Sequence, residues 1–123
     1  MERPKKTKGF PAFMSALDNV GAGWHPLIED LEADLLDIDP EYTLTQVKEK
    51  FGGLRYYATP SNLDVYEAFH ARIGRTEAES YKVCEECGTR DDVTTEGGWL
   101  RTMCPPCRSR LAQERAERWQ KRE

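Results

Sequence analysis

Four cysteines constrain this chain more than any other feature of its sequence. They form two C-x2-C pairs, Cys84 with Cys87 and Cys104 with Cys107, and sixteen residues separate the pairs. Each pair can direct two thiolates at one tetrahedral ion from a tight turn, provided that the intervening stretch folds back. Gly88, directly after the first pair, tolerates the positive φ that such a turn requires. The spacing therefore predicts one metal site made by all four cysteines.

Zinc is the metal that this site is expected to bind. Four thiolates leave Zn²⁺ without an open coordination position, so the ion would be structural and not catalytic. Metal binding contributes about 10–16 kcal/mol of apparent free energy to the folding of such small modules. The alternatives are two disulfides, a redox-active CPPC sequence and an iron–sulfur cluster. A redox motif would need a βαβ setting and a use for the second cysteine pair, and the sequence indicates neither.

Residues 84–112 are expected to fold as a zinc finger. Asp92–Thr95 and Trp99–Met103 predict two short strands around a pair of glycines, and Cys104-Pro-Pro-Cys107 then opens a helix. A knuckle, a hairpin and a helix that carries the last two ligands resemble a treble-clef zinc finger. Residues 113–123 continue this helix as a charged tail.

Residues 10–83 are expected to form a small α+β body before the finger, and residues 1–9 a flexible basic arm. Phe10–Val20 predicts a short helix, and Pro26–Ile38 predicts an amphipathic one. The apolar stripe of this second helix is Leu27, Ile28, Leu31, Leu35, Leu36 and Ile38. The acids assigned to its other side are Glu29, Asp30, Glu32, Asp34 and Asp37. The predicted fold class is therefore α+β.

A β-hairpin is predicted over residues 42–59. β-branched and aromatic residues flank Gly52-Gly53, which can supply the positive φ angles of a tight turn. Residues 62–82 predict the last helix of the body. We expect this helix to lead into the finger and the two parts to pack together, with Trp99 covering the junction.

The rest of the sequence argues for a cytoplasmic protein. No stretch approaches the roughly 18 consecutive apolar residues that a membrane span requires. The basic N-terminus is not followed by the apolar core of a signal peptide. In a reducing cytoplasm, paired cysteines are expected to bind metal and not to form disulfides.

Parts of the sequence resemble a known group of proteins. The stretch GWHPLIEDLEADLLDIDPEYTLTQVKEKFGGLRYY, followed by CEECG, GGWLRTMC and PPC, is similar to small uncharacterised bacteriophage proteins. In these proteins a GGLR-Y/F hairpin precedes a finger with paired cysteines. The resemblance covers roughly residues 21–110 and is most specific over Gln46–Tyr57 and Gly97–Cys107. It implies a viral protein that acts inside a bacterial host, and it implies no catalytic or binding residues.

The sequence offers little for catalysis, and we expect no enzymatic activity. His25 and His70 are the only two histidines, the residue type that most often serves as an acid or base in catalysis. His25 lies at a helix start, where it is expected to cap or pack, and His70 is expected at the margin of the core. Residues 84–123 contain none of the histidines that treble-clef nucleases use, and Gly52-Gly53 is a turn and not a phosphate-binding loop.

A host protein is the partner that we rank first. Residues 11–45 carry eight acids and no lysine or arginine, so the helix Pro26–Ile38 would present a dense negative face. The residues of this face proposed for partner binding are Glu29, Asp30, Asp34 and Asp37. Such a face could occupy a host surface that normally takes nucleic acid. The alternative is a solvated face that only keeps the protein soluble.

Nucleic acid is the alternative partner. Aromatic and basic residues alternate on the predicted hairpin as a strand-binding platform requires, namely Lys48, Lys50, Arg55 and Tyr57. Strand alternation places Arg55 and Tyr57 on one side and Leu54 and Tyr56 on the core side. Basic residues of the last helix could follow phosphates, but acids one turn away explain much of that pattern as i,i+4 pairs. Five acids inside the finger would also repel phosphate.

Overall fold

The computed structural model describes residues 10–121. The helices are α1 (Phe10–Leu17), α2 (His25–Ile38), α3 (Tyr66–Ser80) and α4 (Pro105–Lys121). The strands are β1 (Thr43–Lys50), β2 (Gly53–Thr59), β3 (Thr94–Glu96) and β4 (Arg101–Met103). β1 pairs with β2 and β3 with β4, each pair antiparallel and each a separate sheet. The predicted α+β fold class is confirmed. None of the described helices is long and apolar enough to cross a membrane.

α2 packs its apolar side into the core of the body. Pro26 lies in its first turn, and Asp39 caps its end. The buried residues are Ile28, Leu31, Glu32, Leu35 and Leu36. The buried stripe is therefore rotated slightly from the predicted one, since Leu27 and Ile38 are only partly buried. Glu32 was assigned to the solvent side, and that assignment is wrong.

The β1–β2 hairpin confirms the predicted alternation but not the predicted turn. Leu54 and Tyr56 are buried on the core side, and Tyr57 is exposed on the other. Gly53 pairs with Lys50 inside the ladder, so the two turn residues are Phe51 (φ 55°) and Gly52 (φ 85°). Tyr81 covers Gly53 so closely that a Cβ there would lie 2.2 Å from the Tyr81 hydroxyl oxygen.

α3 covers the outer edge of β2. The Leu54 N–H donates to Ser80 Oγ (3.0 Å) and the Tyr56 N–H donates to Glu77 Oε2 (2.9 Å). These two bonds satisfy strand donors that a hairpin alone would leave to solvent. The helix begins later than predicted, because a 3-10 turn at Leu63–Val65 precedes it.

The finger docks on the body through the segment before α2. The Gly23 N–H donates to Glu85 O (2.9 Å), and the buried Trp24 indole donates to Val83 O (2.9 Å) and Ser80 O (3.2 Å). A second contact joins the hairpins, where Thr102 Oγ1 donates to Gly52 O (2.5 Å). The expectation that Trp99 covers the junction is wrong, because its side chain is 76% exposed. Trp24 occupies that role.

Candidate metal centre

The first cysteine pair lies in a tight turn directly after α3. The Cys84 N–H donates to Thr89 O (2.9 Å), and the Gly88 N–H donates to Cys84 O (2.9 Å). Gly88 has φ 83°, a conformation that side chains disfavour. The positive φ predicted for this knuckle is therefore present, and the turn brings Cys84 and Cys87 to one side.

The second pair comes from the junction of β4 and α4. β4 ends at Met103, and Pro105 and Pro106 form the first turn of α4, where a missing N–H costs nothing. The Arg108 N–H closes this turn by donating to Cys104 O (3.0 Å). Cys107 lies in the first turn of α4. The end of β4 therefore positions Cys104, and α4 positions Cys107.

The four cysteine sulfurs form one cluster. All four Sγ atoms lie within 4.8 Å of one another, and those of Cys87 and Cys104 are 3.7 Å apart. Tetrahedral Zn²⁺ with bonds of about 2.3 Å requires its sulfurs to be about 3.8 Å apart. Cys84, Cys104 and Cys107 are buried and Cys87 is exposed. The predicted ligands thus form a cluster with the geometry of a zinc site.

The electrostatics of the cluster favour a cation. Burial disfavours the Cys84 thiolate, but N–H groups of Cys87 and Cys104 outweigh burial and lower the pKa of Cys84 to about 7. Burial and the neighbouring thiol of Cys104 raise the pKa of Cys107 to about 12. Several thiolates in one small site therefore oppose each other's ionisation, and a bound dication removes that opposition.

Ion pairs around the cluster use most basic groups of the finger. Arg101 bonds the buried carboxylate of Glu85 (2.7 Å) and also contacts Glu86 (3.3 Å). Glu85 in turn accepts the Thr102 N–H (3.2 Å). The Arg108 guanidinium donates to backbone carbonyls of β3 and β4, including Thr94 O (2.8 Å). These two arginines therefore hold the finger together.

The acidic residues of α2 are less uniform than the sequence indicated. Glu29, Asp30 and Asp37 are exposed. Asp34 forms an ion pair with Arg72 of α3 (2.7 Å), so part of the predicted negative face joins two helices. Arg75 and Arg90 lie beside Asp30 in the same shallow depression. Arginines therefore interrupt the acidic face.

The basic and aromatic residues of the hairpin lie together on its outer face. Lys48 is opposite Arg55, and the Lys48 ammonium lies 5.7 Å from the Tyr57 ring centre. Arg55 donates to Leu54 O (2.9 Å). Lys50 lies over Phe51 (5.5 Å). None of these three cations forms an ion pair with any residue from 13 to 121.

The two hairpin tips enclose a groove that the sequence did not predict. We call it the tip groove, and it has a volume of about 390 Å³. It is lined by Lys48, Glu49, Lys50, Phe51, Gly98, Trp99 and Leu100. A large apolar residue beside a glycine pair occurs twice in the sequence, at Phe51 and at Trp99. That repetition was the available signal for an exposed apolar tip.

The two histidines pack against neighbouring elements. His25 Nε2 donates to Leu17 O (2.8 Å) and so ties the start of α2 to the end of α1. The His70 ring contacts those of Tyr66 (4.5 Å between centres) and Phe69 (5.4 Å). Both positions are those expected of packing histidines.

Comparison of the chain with protein-family models, curated proteins and solved structures gives no match. The metal centre and the tip groove are therefore interpreted from their own chemistry.

Proposed function

We propose that this is a small, non-enzymatic zinc-binding protein that acts by docking on another protein through the tip groove. The observation that carries the proposal is the exposure of three large apolar side chains around one groove. Phe51 is 66% exposed, Trp99 76% and Leu100 39%. Contiguous exposed apolar groups on a small protein mark interaction sites, because a bound partner removes their apolar surface from water.

The four-cysteine cluster supports a structural role for the metal. With four sulfurs as ligands, zinc has no position left for water or substrate. The order of knuckle, hairpin and helix supports the treble-clef assignment. The packed histidines and the absence of an open metal position support a role in binding and not in catalysis.

The partner is proposed to be a protein of a bacterial host. The resemblance to bacteriophage proteins over residues 21–110 supports this, and so does the expected cytoplasmic location. The tip groove replaces the acidic face of α2 as the proposed working surface, because Asp34 is paired with Arg72 of α3. Glu29 and Asp30 then act mainly as solvated surface charges.

Nucleic-acid binding is the second candidate function. It is favoured by the outer face of the hairpin, where Lys48, Lys50 and Arg55 lie without acidic partners from residue 13 onward and beside Tyr57. Cations and aromatic rings on one face are what single strands bind. Arg101 and Arg108 are engaged within the finger, so they do not extend this basic face.

Affinity capture from bacterial lysate, with and without nuclease treatment, tests the proposed function. The baits are the wild type, Trp99→Ser and the control Trp119→Ser, whose side chain is 67% exposed on α4 outside the groove. We expect one stoichiometric protein with the wild type and with the control, and its loss with Trp99→Ser. Equal capture by all three baits, or capture of nucleic acid alone before nuclease treatment, would overturn the proposal.

A further inference from the structure

The turn residue Phe51 occupies a conformation that its side chain disfavours. Its φ of 55° lies in the left-handed region, which non-glycine side chains disfavour. Asparagine or glycine would form the same two-residue turn at lower cost. The Phe51 ring recovers little of this cost by burial, since it is 66% exposed. A strained position that holds an exposed aromatic ring points to a use for that ring outside the fold.

The opposite wall of the tip groove comes from the finger. Trp99 and Leu100 follow the Gly97 turn between β3 and β4, and Gly97 has φ 109°. The enclosed volume of about 390 Å³ suits one or two side chains of a partner and is too small for a folded surface. The groove is thus shaped for an apolar anchor on an extended segment.

The charges at the rim of the groove are mainly positive. Lys48 and Lys50 line it, and neither forms an ion pair with a residue from 13 to 121. Among the described residues that line it, Glu49 is the only acid, and its carboxylate accepts the Gly52 N–H (2.7 Å) inside the turn. Two available ammonium groups beside an apolar floor are complementary to acidic residues that flank an apolar one.

The net negative charge of the protein disfavours a nucleic-acid strand more than it disfavours a short acidic peptide. The chain has a net charge of −4. A nucleic-acid strand carries a phosphate at every nucleotide, so the negative field of the protein repels it along its whole length. Only a few cations are available to offset this repulsion. A short peptide places its few carboxylates beside Lys48 and Lys50 alone.

Both walls of the groove are held by one hydrogen-bonded contact next to the metal centre. Thr102 Oγ1 donates to Gly52 O (2.5 Å) and also contacts Thr95 Oγ1 (2.6 Å). Thr102 lies in β4, two residues before the ligand Cys104. A metal bound by Cys104 therefore positions β4, and Thr102 of β4 positions the turn between β1 and β2. A Cβ at Gly52 would lie 2.5 Å from Thr95 Cγ2, which shows how closely the two hairpins approach.

From these observations we infer that the tip groove binds a short acidic peptide segment through a central apolar anchor residue, and only when zinc holds the finger in place. This inference rests on the proposed docking function and specifies the chemistry of the partner.

Selection from a displayed library of random short peptides on the zinc-loaded protein tests the inference. We expect the selected peptides to share an aromatic or leucine residue flanked by glutamate or aspartate. Binding of the best peptide should fall about tenfold or more with Phe51→Asn, because the ring is lost while the turn is kept. Trp99→Ser and the double change Lys48→Glu with Lys50→Glu should weaken binding as well, and Trp119→Ser should not.

Two further measurements decide between the partner classes and the role of the metal. Chelation of zinc should abolish peptide binding, and added zinc should restore it. Labelled oligothymidylate should neither bind more tightly than the peptide nor displace it. Basic or uncharged selected peptides, displacement by the oligonucleotide, or binding that survives chelation would each overturn the inference.

The two failures can be told apart. A lysate protein that depends on Trp99, together with selected peptides that lack acids, would leave docking intact and refute the acidic assignment. Lysate capture that is insensitive to Trp99→Ser and Phe51→Asn would refute both.

Discussion

Glu32 is the residue whose chemistry is least expected in this fold. Its side chain is 7% exposed, and its Oε2 atom has no hydrogen-bond partner in the described part of the chain. Tyr42 and Tyr56, whose hydroxyl groups are 2.8 Å apart, lie near Glu32, and its charge adds to the burial that raises the pKa of both. Burial and the nearby charge of Glu29 raise the pKa of Glu32 above its usual range. The ionised carboxylate therefore costs stability at neutral pH.

Replacing this carboxyl with an apolar side chain should stabilise the protein. We expect Glu32→Met to raise the free energy of unfolding by about 1 kcal/mol at pH 7. Because the folded-state pKa is raised, the penalty in the wild type is present above that pKa. It disappears as the pH falls through the raised pKa towards the ordinary carboxyl value, and the advantage of the variant should shrink accordingly.

Urea unfolding at pH 7 and pH 5 measures this difference, with Glu29→Gln as the exposed control. A destabilised Glu32→Met, or a gain that grows at the lower pH, would contradict the assignment of a penalised carboxyl.

The position of Glu32 shows what residue-level reasoning can and cannot predict. Helical periodicity correctly predicted a buried side for α2, with Ile28, Leu31 and Leu35 in it. It placed Glu32 outside because acids are almost never buried without a partner. Only the packing of α2 against the hairpin and α3 decides that this position faces inward.

At the scale of elements, the docking of the knuckle on the segment before α2 depends on two glycines. A Cβ on Gly23 would lie 2.1 Å from Cys84 O, and one on Gly21 would lie 2.1 Å from Glu85 O. Both distances are shorter than any tolerated contact, and the atoms met are backbone. The close approach lets the Gly23 N–H reach Glu85 O and so joins the body to the finger.

A pair of glycine substitutions tests this joint. Gly23→Ala should lower the free energy of unfolding by about 3 kcal/mol, because the added methyl group forces the knuckle away. Gly74→Ala, within α3 and with open space around it, should instead raise stability by about 0.5–1 kcal/mol. Thermal denaturation of both zinc-loaded variants measures the difference. Equal effects of the two substitutions would show that the joint does not depend on this approach.

The elements themselves were largely predictable, and the hairpin turn was not. Alternation around a glycine pair located both strands within the predicted range 42–59. Because glycine tolerates positive φ better than other residues, the sequence predicted a turn formed by Gly52 and Gly53. The turn lies one residue earlier, at Phe51 and Gly52, and Gly53 lies in the ladder, where Tyr81, more than two dozen residues away, covers it. Sequence spacing does not reveal a contact between residues so far apart.

At the scale of the whole molecule, body and finger share their contacts. Trp24 of the body donates to the carbonyls that lead into Cys84, and Thr102 of the finger donates to the hairpin turn. The cysteine spacing predicted the ligand cluster because two knuckles and one ion constrain the geometry strongly. It could not predict the joint, since Trp24 and the glycines beside it precede the cysteines by some sixty residues.

Removal of the metal should therefore affect more than the finger. We expect chelation to melt residues 84–112 and also to lower the melting temperature of the body, because contacts from Gly23, Trp24 and Gly52 are lost together. Circular dichroism melting curves before and after chelation measure this, and added zinc should restore the original curve. An unchanged curve after complete metal removal would show that the two parts are independent.

We propose that Cys84, Cys87, Cys104 and Cys107 together hold a single structural zinc ion. Native mass spectrometry of the freshly purified chain tests this proposal. We expect one zinc ion for each chain, with all four cysteines unmodified once the metal is removed. A metal-free folded chain with two disulfides, or a chain that carries iron and sulfide in place of zinc, would contradict it.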